Sequence, residues 1–153
     1  MRVVVDSREQ WTQGRRNGRI GAYFDRVGIP YTVRKLDIGD YMSEDNPYLS
    51  IDRKQNLDEV ASNLLNRADS SRFWREVRRA AKEKVFLVIL VEQGGDIRSI
   101  NDVPKWRSKY TQITGRSLID QMIRLEMAYG IRWVFCDKRS TGKRIVELLE
   151  GKE

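Results

Sequence analysis

Acidic residues and a lysine stand in the first third of the chain at positions where strands usually carry apolar side chains. Asp40 follows Gly39, and Asp52 and Lys54 lie in a later segment rich in β-forming residues. Because alternate side chains of a strand share a face, Asp52 and Lys54 point the same way. Asp40, on the partner strand near the connecting turn, can approach them.

Converging carboxylates beside a lysine are typical of a site for a hard divalent cation. Two carboxylates within a few ångströms repel each other unless a cation neutralises them, and an all-oxygen site suits Mg²⁺ or Mn²⁺ better than zinc or copper. A bound metal lowers the pKa of water and holds phosphoryl oxygens, and a lysine beside it can polarise that water. The pattern therefore indicates phosphodiester hydrolysis. The open alternative is a turn aspartate beside a solvated ion pair.

The overall composition excludes several other chemistries. The 153 residues include no histidine, which rules out Ser-His-Asp and Cys-His catalysis and the usual histidine-containing zinc sites. The single cysteine cannot form an internal disulfide, and the sequence shows neither a signal-peptide-like run nor an apolar stretch long enough to span a bilayer. We therefore expect a soluble protein of a reducing compartment, with no membrane partner and no small-molecule cofactor.

The charge balance points to a polyanionic partner. Twenty-nine Lys and Arg residues stand against twenty-two Asp and Glu residues, which gives a formal net charge of +7. Such a surplus attracts nucleic acid through its field and through counterion release. Charge alone does not separate nucleic acid from an acidic protein or a membrane surface.

Strands and helices alternate around these residues. The run "RVVVDSRE" predicts a strand that ends in charge at Asp6, and "YTVRKLDIGDYM" and "YLSIDRK" predict an antiparallel pair across a turn. The apolar run 85–91 is expected at the centre of the sheet. Helical spacing marks residues 20–27, 57–65, 70–84, 117–130 and 140–150, and "IRWVFC" predicts a last strand. We expect one α/β domain, residues 1–153, whose sheet is covered by helices on both faces.

Two motifs at fixed offsets resemble those of a known family, the XPF-type nuclease domain of structure-selective DNA endonucleases. That family's core reads Gly-Asp, a spacer, Glu-Arg-Lys, three residues and Asp. Here Gly39-Asp40 is followed by Asp52-Arg53-Lys54 and then Asp58, so only the change from Glu to Asp departs from the pattern. The family's first strand ends in Val-Asp-x-Arg-Glu, which residues 5–9 match.

The resemblance implies a fold, an activity and a set of site residues. The fold is restriction-endonuclease-like, with a mixed central sheet, and the activity is Mg²⁺- or Mn²⁺-dependent cleavage of branched DNA. The implied metal ligands are Asp6, Glu9, Asp40 and Asp52. Lys54 would orient or polarise the attacking water, and the residues implied to support the substrate phosphate and the site geometry are Arg8, Arg53 and Asp58.

Three groups of basic residues are candidates for DNA contact. The helix over residues 70–84 carries cations opposite its apolar face, a basic loop precedes the first helix, and a third segment interleaves cations with an aromatic residue. These candidates are Arg72, Arg75, Arg79 and Lys82, then Arg15, Arg16 and Arg19, then Lys105, Trp106 and Lys109. A solvated helix face, an unremarkable loop and a packed Trp106 are the alternatives left open.

We therefore predict a metal-dependent endonuclease that hydrolyses phosphodiester bonds in branched or flap DNA. The family commonly pairs with itself or a relative, so a homodimer is possible, and many members carry a helix-hairpin-helix domain that we do not expect in residues 1–153. The protein is expected in the cytoplasm or wherever its DNA lies, and not secreted. The alternatives are a catalytically idle scaffold that binds DNA or a partner nuclease, and a sequence-specific restriction enzyme.

Overall fold

A computed structural model describes residues 1–9, 18–65 and 71–152. The strands are β1 (Val3–Asp6), β2 (Tyr31–Arg34), β3 (Tyr41–Ser43), β4 (Asn46–Lys54), β5 (Phe86–Glu92) and β6 (Arg132–Cys136). The helices are α1 (Gly18–Val27), α2 (Leu57–Leu65), α3 (Arg72–Glu83), α4 (Gly115–Tyr129) and α5 (Thr141–Leu149). Short 3₁₀ turns cover Ser7–Glu9 and Ile100–Lys105.

The strands form one mixed sheet in the order β2-β1-β3-β4-β5-β6. β1 runs parallel to β2 and antiparallel to β3, and β3 is antiparallel to β4. β4, β5 and β6 are parallel to one another. The carboxyl ends of β1 and β4 therefore lie at the same edge of the sheet, close to where β3 begins.

The predicted antiparallel pair is confirmed only in its second half. β3 and β4 pair as expected, but the segment "YTVRKLDIGDYM" is not one strand. Its first four residues form β2, on the far side of β1, and its last two residues begin β3. The break has a physical cause: Asp6 accepts a hydrogen bond from the backbone N–H of Leu36 (2.8 Å), and Gly39 takes a left-handed φ of +71° that turns the chain.

β5 is buried as its continuous apolar run predicts, but it is not the central strand. It lies between β4 and the edge strand β6, and its residues from Leu87 onward are buried. Helices cover both of its faces, so successive side chains all meet apolar neighbours. Ile89 and Val91 pack on one side, and Val88 and Leu90 pack on the other.

Two apolar cores, one on each face of the sheet, confirm the predicted layers. The larger core joins α2, α3 and α4 to the sheet through residues such as Leu57, Val77 and Met122. The smaller core joins α1 and α5 to the opposite face through Phe24 and Ile145. Within the described ranges, no helix is both long and apolar enough to cross a membrane.

The start of α2 is fixed directly after the end of β4. The side chain of Asn56 accepts a hydrogen bond from the backbone N–H of Glu59, and the Glu59 carboxylate accepts one from the backbone N–H of Gln55, both at 2.8 Å. Asn56 thus satisfies a donor that the helix start leaves unpaired, and Glu59 reaches back to the residue before the cap, much like the capping box that the sequence predicted. This contact also sets Glu59 close to the end of β4.

Candidate active site

The backbone of Asp40 connects the ends of β1 and β4. Its N–H donates to the carbonyl of Ile51 (2.7 Å), and its carbonyl accepts from the N–H of Asp6 (2.8 Å). A side chain at Gly39 would place its Cβ 2.2 Å from Ser50 Oγ and 2.9 Å from the Ile51 carbonyl. Only glycine fits there, which explains why glycine precedes the aspartate.

The carboxylates of Asp40 and Asp52 lie together and nearly buried, with 6% and 4% of their surface exposed. Asp40 Oδ2 accepts a hydrogen bond from the backbone N–H of Arg53 (2.9 Å). Burial, and then the nearby carboxylates of Asp52 and Glu9, raise the pKa of Asp40 well above its usual range. Two acidic groups are thus held close in a site that disfavours charging both.

Lys54 is the cation closest to this pair. Its Nζ lies 3.0 Å from Asp52 Oδ2 and 4.7 Å from the ring centroid of Phe73. Burial lowers the pKa of Lys54, but the carboxylates of Asp52, Glu59 and Asp40 outweigh that effect and raise the pKa above its usual value. Lys54 is therefore a fixed positive charge beside the two aspartates.

The aspartate pair has one feature that suits a hard cation. Asp52 Oδ2 is buried and accepts no well-aligned hydrogen bond from the described residues, since the contact with Lys54 is an ion pair without that alignment. A buried oxygen of this kind is costly unless something binds it. Across the described ranges, however, no three His, Cys, Asp or Glu side chains lie close enough together to form a metal-binding group.

Asp6, one of the four implied ligands, is already satisfied by protein donors. It is fully buried, and its Oδ2 accepts from Arg8 Nε at 2.6 Å while Oδ1 accepts from the N–H of Leu36. Arg8 Nη2 in turn donates to the Leu36 carbonyl at 2.9 Å. Asp6 and Arg8 therefore hold the β2–β3 connection against the end of β1.

Glu9, another implied ligand, belongs to a buried charge network that we call the Arg53 network: Glu9, Tyr41, Arg53, Glu92 and Thr141. Arg53 donates to Glu9 Oε2 (2.8 Å) and to Glu92 Oε1 (2.7 Å). Tyr41 donates to Glu9 Oε2 (2.5 Å), and the Thr141 hydroxyl donates to Glu92 Oε2. The four implied ligands thus divide into one adjacent pair, Asp40 and Asp52, and two carboxylates that arginines already engage.

Comparison with known protein families identifies the family of this chain. The family model of the ERCC4 domain matches residues 5–149, which is most of the chain. The chain belongs to the ERCC4 domain family. The resemblance to XPF-type nuclease domains is thereby confirmed, and no curated protein gives a significant match to the whole sequence.

Solved structures agree on the fold of this ERCC4 domain. XPF from Aeropyrum pernix superposes with a TM-score of 0.71 at 23% identity, covering 98% of this chain and 64% of that chain. A structure of XPF from Aeropyrum pernix in complex with DNA gives a TM-score of 0.68 at 24% identity, covering 97% and 63%. The fold is restriction-endonuclease-like, as predicted, and the chain spans less than two thirds of the XPF chains it matches.

Two cavities of the ERCC4 domain lie next to each other near the aspartate pair. One, of about 210 Å³, is lined by Asp52, Lys54, Glu59, Asn63, Arg72, Phe73 and Glu76. The other, of about 190 Å³, is lined by Arg8, Lys35, Leu36, Asp37, Arg72, Arg75, Glu76 and Arg79. We call them the Asp52 cavity and the basic groove. Arg72 and Glu76 line both, so the basic groove adjoins the cavity that contains Asp52.

The predicted DNA-contact residues divide between these surfaces and others. Arg72, Arg75 and Arg79 line the basic groove, whereas Lys82 is exposed near the end of α3. Arg19 donates to the Lys138 carbonyl (2.9 Å), and one of its nitrogens lies 4.0 Å from Glu92, so it borders the Arg53 network. Arg15 and Arg16 lie outside the described residues.

The remaining candidates have local partners. Trp106 packs against the larger core, which favours the packing alternative, and Lys105 pairs with Asp102 at 3.3 Å. Lys109 is exposed. Asp58 accepts a hydrogen bond from Ser108 Oγ (2.6 Å), which ties the first turn of α2 to the loop before α4.

Sequence reasoning missed Glu76 and Glu92. Glu92 ends a buried apolar strand in charge, and that signal had singled out Asp6 at the end of β1. Glu76 lies three residues after the core residue Phe73, which places it towards the apolar side of α3. Both are buried, and a buried acid needs partners that only the fold brings together.

Proposed function

We propose that this ERCC4 domain is a divalent-metal-dependent endonuclease that hydrolyses phosphodiester bonds in branched or flap DNA. The observation that carries the proposal is the buried Asp40–Asp52 pair beside Lys54, at the point where a basic groove opens. Family membership supports the activity class, and the substrate class is supported by the similar XPF structure that is a complex with DNA. Mg²⁺ or Mn²⁺ is the proposed cofactor.

Asp40 and Asp52 are the residues proposed to hold the metal. A divalent cation would offset the repulsion between two buried carboxylates and would bind Asp52 Oδ2, which Lys54 contacts as an ion pair. When bound, it would supply Lewis-acid activation of water and of the phosphoryl oxygens. Asp6 and Glu9 are the proposed further ligands, and each would have to exchange its arginine for the cation.

The proposed role of Lys54 follows from its position and charge. Its side chain is mostly buried, and Nζ stays protonated because three carboxylates surround it. A fixed ammonium group can orient a water molecule through its N–H donors and can stabilise the negative charge that builds up on a phosphoryl group. Lys54 would therefore act through electrostatics and orientation rather than as a proton acceptor.

The proposed DNA contacts lie along the basic groove. Its lining carries five cations, Arg8, Lys35, Arg72, Arg75 and Arg79, against two acids, Asp37 and Glu76. Contacts of this kind bind phosphates without reading sequence, so they would position the strand rather than select it. We further propose that residues 1–153 act as one nuclease domain that can pair with a second copy of itself.

A second candidate function is a scaffold that binds DNA without cutting it. It is favoured by the ion pairs that occupy Asp6 and Glu9 and by the absence of a three-carboxylate metal group among the described residues. The endonuclease proposal rests instead on the retained acidic pair and Lys54, which a scaffold has no need to bury.

The test incubates the protein with end-labelled flap, fork, four-way junction, single-stranded and plain duplex DNA, each in Mg²⁺, Mn²⁺ or chelator. We expect metal-dependent cutting near a branch and none in chelator. Discrete fragments from long duplex DNA would indicate a restriction enzyme instead. Binding that is equal in metal and chelator, with no cutting of any substrate, would overturn the endonuclease proposal in favour of the scaffold.

A further inference from the structure

Glu76 is an acid on the most basic of the described helices, and its side chain is buried. Its neighbours Arg72, Arg75 and Arg79 are exposed, whereas only 8% of the surface of Glu76 is exposed. Burying a carboxylate costs free energy unless cations or donors compensate for the lost water. An apolar residue would serve the core at this position at lower cost, so Glu76 calls for another explanation.

The side chain of Glu76 stands in the wall that separates the basic groove from the Asp52 cavity. It lines both cavities, as does Arg72. Burial, and then the nearby Asp52 carboxylate, raise the pKa of Glu76 to about 7. Glu76 therefore lies within electrostatic reach of the aspartate pair while it faces the cations of the groove.

Glu76 is also the point where arginines from two distant segments meet. Its Oε1 lies 3.6 Å from Arg8 Nη2, which follows β1, and 4.0 Å from Arg72 Nε, one helical turn earlier on α3. Arg8 Nε is held by Asp6, and the same Nη2 also donates to the Leu36 carbonyl. Glu76 thus adds an acidic contact at Nη2 and draws Arg72 to the same place.

We propose that Glu76 is a positioning residue of the active centre, which holds the guanidinium groups of Arg8 and Arg72 where the basic groove meets the Asp52 cavity. This inference rests on the proposed function, because the two arginines would bind the DNA phosphate next to the one that is cleaved. Two preset guanidiniums bind that phosphate without first losing side-chain freedom. The acid orients cations that would otherwise repel each other.

The substitution Glu76→Gln distinguishes a purely electrostatic role of Glu76 from a positioning role. Glu76→Gln keeps the shape of the side chain and, at pH 8, where the carboxyl is mostly ionised, adds nearly one positive charge to the groove. If Glu76 only dilutes the positive field, the variant binds DNA more tightly and cuts at least as fast. If Glu76 positions the arginines, DNA binds as well as before or better, but the bound complex cuts about tenfold or more slowly.

The experiment measures DNA affinity in chelator and the single-turnover cutting rate at saturating protein in Mg²⁺. Glu83→Gln, an exposed acid on the same helix, is the matched control and should cut like the wild type. Adding Glu76→Gln to an Arg72→Gln variant should slow cutting less than it does alone, because the acid acts partly through Arg72. An unchanged or faster rate in Glu76→Gln overturns the proposal.

A second measurement works without cleavage. ¹⁵N relaxation of the arginine Nε–H groups reports side-chain motion. We expect Arg72 to gain motion in Glu76→Gln and to stay as ordered as in the wild type in Glu83→Gln. If the wild type cuts no DNA, the endonuclease proposal fails and this measurement alone decides the role of Glu76. Unchanged Arg72 motion in Glu76→Gln would then overturn it.

Discussion

The last three residues of β4 are charged, and the two faces of the strand differ in how fully protein groups already pair these charges. Asp52 and Lys54 face the side of α2 and α3, where the only cation paired with Asp52 Oδ2 is Lys54 among the described residues and where both residues line a cavity. Arg53 faces the other side, where Glu9 and Glu92 bind it at 2.8 and 2.7 Å and its side chain is only 17% exposed. The Asp52 side of β4 can still bind a cation, whereas the charged groups on the Arg53 side already pair with one another.

This contrast separates reactive groups from supporting ones. A fully paired network gives little to a ligand, because any new contact must first break an existing one. A buried carboxylate that lies beside a second carboxylate is stabilised when a divalent cation binds both. We therefore assign a catalytic role to the Asp52 side of β4 and a structural role to the Arg53 side, although all three residues belong to one short motif.

The largest expected effect comes from Asp52→Asn. Loss of one carboxylate should reduce single-turnover cutting of branched DNA about a thousandfold, which corresponds to about 4 kcal/mol of transition-state stabilisation. Asn removes a like charge from Asp40 but also the ion-pair partner of Lys54, so unfolding in urea serves to show that the variant is still folded. Wild-type cutting by this variant would contradict a catalytic role for the Asp52 side of β4.

Arg53→Gln should give the reverse result, a large loss of stability. Removing the cation leaves Glu9 and Glu92 buried without their partner, which costs about 3 kcal/mol or more in the free energy of unfolding. Arg2→Gln is the matched control, since Arg2 pairs with Glu44 at 4.0 Å on the exposed surface and should cost under about 1 kcal/mol. Equal stability of the two variants in urea would contradict a structural role for the Arg53 network.

The smallest predicted effect concerns pH. The pKa of Glu76 rises from 4.5 to about 7 in the folded protein, so between these values the folded state binds more protons than the unfolded state. Stability from this group is therefore lost as pH rises through that window. Glu76→Gln should gain about 2 kcal/mol relative to the wild type between pH 5 and pH 8. Urea unfolding at both values measures it, and a constant difference would contradict the raised pKa.

Much of the fold was predictable because its signals are local. Alternation placed Asp52 and Lys54 on one face of β4, glycine marked the turn before Asp40, and apolar spacing marked the helices. The split between β2 and β3 was not predictable in the same way. It depends on Asp6 binding the backbone of Leu36, a contact between residues far apart in the chain.

The sequence predicted which residues belong to the candidate site, but not which of them form ion pairs with each other. The motifs brought Asp6, Glu9, Asp40 and Asp52 forward as one set, and their roles stay predictions. Sequence could not show that Arg8 and Arg53 engage two of them, since an ion pair depends on three-dimensional approach. Glu76 was hidden for a related reason: its spacing from Phe73 points to the apolar side of α3, but its ion-pair partner Arg8 comes from a distant segment.

The central claim is that Asp40 and Asp52 form the cation site, and metal binding without DNA tests it most directly. Mn²⁺ is titrated calorimetrically into the wild type, Asp40→Asn, Asp52→Asn and Asp120→Asn, whose aspartate is exposed on α4. We predict that the wild type and Asp120→Asn bind Mn²⁺ alike, while the other two bind it at least about tenfold more weakly. Absence of binding by the wild type, or equal binding by all four proteins, would contradict the claim.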